Sequence, residues 1–100
     1  MIPVNEQQEI LKSLGARLRT ARLSRNDSMA VFAQRLAISE RTLRAMERGE
    51  PTVQFGTWIE ALWILDRLDD LRNVLASPES LLDRARNERP PRQRASRKQR

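Results

Sequence analysis

The chain has 100 residues, is 39% hydrophobic and carries a net charge of +6. This length accommodates one small domain with tails and one modest hydrophobic core. It contains neither cysteine nor histidine, which removes disulfides and the commonest general base and metal ligand, so we expect no cofactor and no metal site. The longest apolar run, residues 61–65, is too short to span a bilayer, and the N-terminus lacks a signal-peptide pattern. We therefore expect a cytoplasmic protein without membrane association.

Charge is distributed unevenly along the chain. The net charge is −1 over residues 1–16, +5 over 17–48, −5 over 49–83 and +7 over 84–100. A concentrated positive block is the electrostatic footprint of a nucleic-acid-binding protein, although an ordinary solvated surface gives the same count. Charge alone leaves both interpretations open.

The first predicted helix begins at Asn5, whose side chain is a candidate N-cap, and ends near Ser24. Its apolar residues recur at helical spacing, at Ile10, Leu11, Leu14, Leu18 and Ala21. Arginines are interleaved with them. Among these, Arg22 has two candidate roles, a contact to DNA phosphate or an ion pair within the protein.

Residues 28–49 predict two short helices joined by a tight corner. Ser28 and Ser39 are each suited to cap a helix, and Gly49 suits the end of the second helix, where a positive φ is common. Between the caps, each helix carries an apolar stripe, formed by Val31, Phe32, Leu36, Leu43 and Met46. The outer face of the second helix is polar and rich in arginine, which suits insertion into a DNA major groove.

This stretch resembles the helix-turn-helix of the Xre class, the Cro/C1 phage-repressor-like family. The matching residues are Phe32-Ala33, Ile38-Ser39, Thr42-Leu43 and Met46-Glu47-Arg48-Gly49. The chain departs from the family pattern at Ala37, since the corner usually carries glycine. A non-glycine residue in a left-handed corner costs roughly 1 kcal/mol. The resemblance also implies that Arg22 pairs with Glu47, which would tie the first helix to the end of the third.

Two sets of DNA-binding candidates follow. The candidates for reading bases are Ser39, Glu40, Arg41, Thr42 and Arg44, and those for contacting phosphates are Ser28, Arg35 and Arg48. An arginine can bind guanine with both guanidinium arms, and a glutamate can accept a hydrogen bond from cytosine. Phosphate contacts position the protein without reading sequence. The alternative is that the two serines are only caps and the arginines are solvated.

After Gly49, a loop is predicted through Gly56. Thr57 is the expected cap of a fourth helix that runs to about residue 66 and is apolar nearly all round, and a short fifth helix follows. The predicted fold class is all-α, a five-helix lambda-repressor-like helix-turn-helix domain over residues 5–76. Its expected buried core is Leu18, Phe32, Ala33, Ile38, Leu43, Met46, Leu62 and Leu71. The candidate dimer-interface residues are Trp63, Leu68 and Leu71.

The remaining residues divide into two segments. Residues 77–86 predict a short helix or linker, with Pro78 suited to the first helical position. Residues 87–100 predict a disordered basic tail, because they contain almost no apolar side chains. The tail has three candidate roles: it contacts DNA, it docks on an acidic partner protein, or it only improves solubility.

The region that follows Gly49, after the second helix of the helix-turn-helix, resembles HipB-type repressor-antitoxins, which are encoded beside HipA-like kinases. The matching residues are Gly49-x-Pro51-x-Val53, Gly56-Thr57-Trp58, Leu62, Leu65, Leu68 and Asp70-Leu71. The resemblance implies a sequence-specific repressor that binds an inverted-repeat operator in double-stranded DNA as a homodimer. It also implies an antitoxin with a HipA-like kinase toxin as partner.

Other functions remain as alternatives. The main role of the protein could instead be to restrain a kinase, or the protein could be a stand-alone phage-type repressor. An enzyme is the least supported class. The sequence shows no glycine-rich phosphate loop and no pair of carboxylates distinguishable from surface charge.

Overall fold

The computed structural model describes residues 1–87, which form helices and no strands. The helices are α1 (Val4–Ser24), α2 (Met29–Leu36), α3 (Glu40–Arg48), α4 (Phe55–Ile64), α5 (Leu68–Arg72) and α6 (Pro78–Asn87). The all-α, helix-turn-helix fold class is confirmed. None of the helices within residues 1–87 is both long and apolar enough to cross a bilayer. Residues 88–100 of the predicted tail lie outside the described residues.

The chain divides into two compact units, residues 1–68 and residues from 69 onward. In the first unit α3 packs against α1 and α2. Its buried core is Leu18, Phe32, Ala33, Leu36, Leu43, Met46 and Ala61. Five of the eight predicted core residues are therefore confirmed. The fully enclosed side chains of Phe32, Leu43 and Met46 anchor α2 and α3 to this core.

Three core predictions are wrong, because Ile38, Leu62 and Leu71 are only half-buried. Ile38 lies in the corner between α2 and α3 and packs at the edge of the core cluster. On α4 the buried position is taken by Ala61, the neighbour of Leu62. Leu71 belongs to the five-residue helix α5, which has no buried residue in the described structure. A helix of little more than one turn is too short to bury an apolar face of its own.

Two predicted caps are also wrong. Asn5 lies inside α1, which begins at Val4 after the extended residue Pro3. The Pro3 carbonyl accepts the N–H of Gln7 at 3.1 Å and so closes the first turn. Thr57 likewise lies inside α4, and its N–H donates to the Gln54 carbonyl at 3.1 Å. The helix therefore starts two residues before Thr57, without a side-chain cap.

Two glycines let α1 and α3 approach closely. A Cβ built on Gly15 would lie 2.6 Å from the Met46 carbonyl oxygen and would also meet the Glu47 carbonyl oxygen. At Gly49 the backbone has a φ of +80°, and a Cβ would lie 2.5 Å from the Leu11 carbonyl oxygen. Only glycine fits such positions without displacing backbone. Gly49 was predicted as a helix end, whereas no local signal in the sequence predicts the close contact at Gly15.

The second unit contains α5 from its second residue, Asp69, and the helix α6. Within α5 the Arg72 guanidinium pairs with Asp69 at 3.0 Å. The helix ends at Arg72, so Val74 and Leu75 lie beyond it and are exposed. Pro78 occupies the first position of α6, where its missing N–H costs no helical hydrogen bond.

Candidate nucleic-acid interface

Two serine caps and a left-handed corner connect α2 to α3. The Ser28 Oγ accepts the Val31 N–H at 3.1 Å, and the Ser39 Oγ accepts the Thr42 N–H at 3.0 Å. Ala37 ends α2 in the left-handed conformation, with φ 56° and ψ 40°. The predicted left-handed corner at Ala37 is thus confirmed. The caps satisfy backbone donors at both N-termini, which fixes where each helix begins.

Arg22 and Glu47, the two residues paired in the sequence analysis, lie in contact and fasten α3 to α1. Arg22 Nε is 2.7 Å from Glu47 Oε2, and Arg22 Nη2 is 3.1 Å from Glu47 Oε1. Both side chains are only 6% exposed. The hydrogen bonds that Arg22 donates to the Glu47 carboxylate raise the pKa of Arg22, against the opposing effect of burial. Removing one partner of a buried pair costs about 3–5 kcal/mol, so this pair holds α3 in place.

A second polar cluster surrounds the buried Asp27. Its carboxylate lies 3.5 Å from Arg25 Nε and 3.4 Å from Arg35 Nη1. Its backbone carbonyl accepts a hydrogen bond from Arg22 Nη1 at 2.9 Å. Arg25 Nη1 also donates to the Ile64 carbonyl at 3.1 Å, which links the ends of α1 and α4. No spacing signal in the sequence predicts this cluster, because its members come from the end of α1, the following loop, α2 and α4, and the most distant pair is 39 positions apart.

The outer face of α3 carries the predicted base-reading residues. Glu40, Arg41 and Arg44 are exposed, and Arg44 Nη2 lies 3.3 Å from Glu40 Oε1. Thr42 is half-buried, with its hydroxyl 3.0 Å from that of Ser39. Arg41 has no ion-pair partner within residues 1–87. It borders a shallow groove lined by Ile38, Arg41, Thr42, Ala45, Thr52, Val53, Gln54 and Thr57.

The predicted phosphate-contacting residues lie on α3 and at both ends of α2. The Ser28 hydroxyl is engaged as the α2 cap. Arg35, near the C-terminus of α2, pairs with Asp27. At the end of α3, Arg48 Nε donates to Glu50 Oε2 at 2.9 Å. Both arginine side chains remain about half exposed, so each guanidinium is accessible to a further ligand.

The candidate dimer residues differ in exposure. Trp63 on α4 is 64% exposed, and the same helix also exposes Phe55 and Ile59. These three residues follow one another at a spacing of four, which places them along one side of α4. Leu68 and Leu71 are half-buried. In the first unit, the exposed apolar stripe Phe55, Ile59 and Trp63 is therefore the more accessible surface.

A capped pair of short helices, with arginines exposed on the second, defines a helix-turn-helix protein. A family model described as a helix-turn-helix domain matches residues 13–75. The chain thus belongs to this Xre-like helix-turn-helix family, whose domains are DNA-binding regulators and are typically non-enzymatic. Comparison with curated proteins and with solved structures found no match. The Xre-like resemblance is confirmed, without the HipB-type specificity.

Proposed function

We propose that this protein is a sequence-specific transcriptional repressor that inserts α3 into the DNA major groove. The observation that carries the proposal is Arg41, which is exposed on the outer face of α3 and has no carboxylate partner within residues 1–87. An unpaired guanidinium can bind guanine O6 and N7 with both arms. Arg41 is therefore the principal base-reading residue of this interface.

The neighbouring candidates have supporting roles. Glu40 accepts a hydrogen bond from a cytosine amino group, and Arg44 contacts a base edge or the adjacent backbone once it leaves Glu40. The hydroxyls of Ser39 and Thr42 already form a hydrogen bond with each other. They contribute to base reading through their remaining hydrogen-bond donor and acceptor sites. Ser28, Arg35 and Arg48 position the domain on phosphates.

A homodimer on an inverted repeat completes this proposal. Two-fold symmetry would place the two copies of α3 about 34–36 Å apart, one turn of DNA. In the first unit the candidate interface residues are Trp63 and Leu68, and they are supported by the large exposed area of Trp63. Leu71, in the second unit, is a separate candidate. Such a regulator would act in the cytoplasm.

The test is Arg41→Ala, measured on an operator that the wild-type protein selects from random duplexes. We expect weaker operator binding, and we expect the free-energy preference for one base pair to fall by about 1–3 kcal/mol. Arg19→Ala is the matched control, because Arg19 is exposed on α1 and its removal changes the net charge equally. An equal loss of affinity on operator and random DNA would show that Arg41 contacts phosphate only.

A second candidate function is that of an antitoxin that restrains a HipA-like kinase and represses its own operon. The exposed stripe Phe55, Ile59 and Trp63 and the net charge of −5 over residues 49–83 favour a protein partner. Inspection of the adjacent reading frames, followed by co-purification with any kinase encoded there, tests this role. Absence of a neighbouring kinase gene would favour the stand-alone repressor.

A further inference from the structure

Most of the arginines assigned to DNA contact already bind a carboxylate in the free protein. Three pairs share this arrangement, Arg48 with Glu50 at 2.9 Å, Arg44 with Glu40 at 3.3 Å and Arg35 with Asp27 at 3.4 Å. Only Arg41 among the assigned arginines lacks such a partner within residues 1–87. The proposed interface thus pairs both phosphate-contacting arginines and the base-reading candidate Arg44 with carboxylates, and it leaves Arg41 without such a partner within residues 1–87.

This arrangement affects the phosphate contacts of the proposed interface. Carboxylate and phosphate are alternative ligands for the same guanidinium group. A phosphate gains such a contact only by displacing the carboxylate, which then lies beside the DNA backbone as a like charge. Non-specific binding depends almost entirely on phosphate contacts. Operator binding uses the same phosphate contacts, so the pairs weaken binding to any duplex DNA. Base reading by Arg41 requires no such exchange.

We propose that Glu50, assisted by Glu40, acts as an internal competitor of DNA phosphate and thereby lowers the contribution of phosphate contacts to the affinity for duplex DNA. This inference rests on the proposed DNA-binding function. The exposed pairs are suited to exchange because ion pairs in water are held weakly. Asp27 is not included, since it is buried and connects several elements of the fold.

Glu50 provides the clearest test of this competition. Both Nε and Nη2 of Arg48 donate to Glu50 Oε2, and both side chains are well exposed. The Glu50 backbone N–H donates to the Ala45 carbonyl at 3.0 Å, a bond that a side-chain substitution leaves in place. Glu40 is less suitable, because it is itself a base-reading candidate and its substitution would change two properties together.

The experiment measures the affinity of Glu50→Gln for random-sequence duplex DNA over a series of salt concentrations. We expect binding about 2–5-fold tighter at low salt, and a slope of log K against log salt steeper by about 0.9, as for one additional phosphate contact. Glu60→Gln is the matched control, since Glu60 is exposed on α4 and makes no ion pair within residues 1–87. It adds the same charge and should leave the slope unchanged.

A double-mutant cycle with Arg48→Ala identifies the route of the effect. If Glu50 acts through Arg48, Glu50→Gln has no effect on DNA binding in the Arg48→Ala background. An equal effect in that background would indicate direct repulsion of DNA and overturn the inference, as would a Glu60→Gln variant that behaves like Glu50→Gln. If the wild-type protein binds an operator but Glu50→Gln binds random DNA unchanged, the competitor role alone fails. If the wild-type protein binds no duplex DNA, the proposed function fails with it.

Discussion

At the scale of single residues, the position of α3 depends on the missing side chain of Gly15. The Met46 and Glu47 carbonyl oxygens occupy the space that a Cβ at this position would need. The same segment of α3 holds Glu47, the partner of Arg22. Close backbone contact and the buried ion pair therefore act together on one end of the helix that carries the proposed DNA-contacting residues.

We predict that Gly15→Ala destabilises the domain. The added methyl group forces α1 and α3 apart, and overpacking of this kind typically costs about 1–3 kcal/mol. The free energy of unfolding, measured with urea, tests the prediction. Gly56→Ala is the control, because a Cβ on Gly56 has no neighbour within 4 Å and alanine favours a helix by about 0.5–1 kcal/mol. A Gly15→Ala variant as stable as the wild type would show that the two helices are not so close.

At the scale of elements, the corner of residues 37–39 joins α2 and α3 through a strained alanine. Ala37 has a φ of 56°, a conformation that costs an L-residue with a Cβ roughly 1 kcal/mol. The surrounding hydrogen bonds hold it there, since the N–H groups of Ala37 and Ile38 donate to the Gln34 and Ala33 carbonyls at 3.0 Å. The corner is thus held by carbonyl groups in the last turn of α2.

We expect Ala37→Gly to raise the free energy of unfolding by up to about 1 kcal/mol, less the entropy that glycine adds to the unfolded chain. Thermal and urea unfolding measure the change. Ala30→Gly is the control, because Ala30 is exposed within α2, where glycine costs about 1 kcal/mol. Similar destabilisation of both variants would argue against a left-handed corner at Ala37.

The elements also show how far sequence reasoning extends. Ser28, Ser39 and Gly49 mark helix ends through local chemistry, so they could be read directly from the sequence. The start of α4 could not, because it has no capping side chain and its first turn is closed by backbone groups. The choice of Ala61 over Leu62 as the buried residue depends on how α4 packs in three dimensions, which periodicity alone does not determine in a helix that is apolar nearly all round.

At the scale of the whole molecule, charge alternates between segments in a way that bears on DNA affinity. Residues 17–48 carry +5 and include the arginines of the interface, whereas residues 49–83 carry −5. Beyond them, residues 84–100 carry +7, which exceeds the charge of the entire chain. We therefore expect long-range attraction to DNA to depend strongly on the C-terminal sequence, and the proposed base reading to depend on α3.

Deletion of residues 87–100 separates these two contributions. The deletion removes six basic residues and one acidic residue, so fewer counterions are released on binding and the slope of log K against log salt becomes flatter. We expect operator and random DNA to lose affinity by similar factors, with sequence preference unchanged, because the tail contains none of the base-reading candidates. A full-length variant with glutamine at the six basic positions is the control for chain length and should behave like the deletion. If the truncated protein keeps the full slope of log K against log salt but no longer binds a kinase partner, the tail serves the antitoxin role instead.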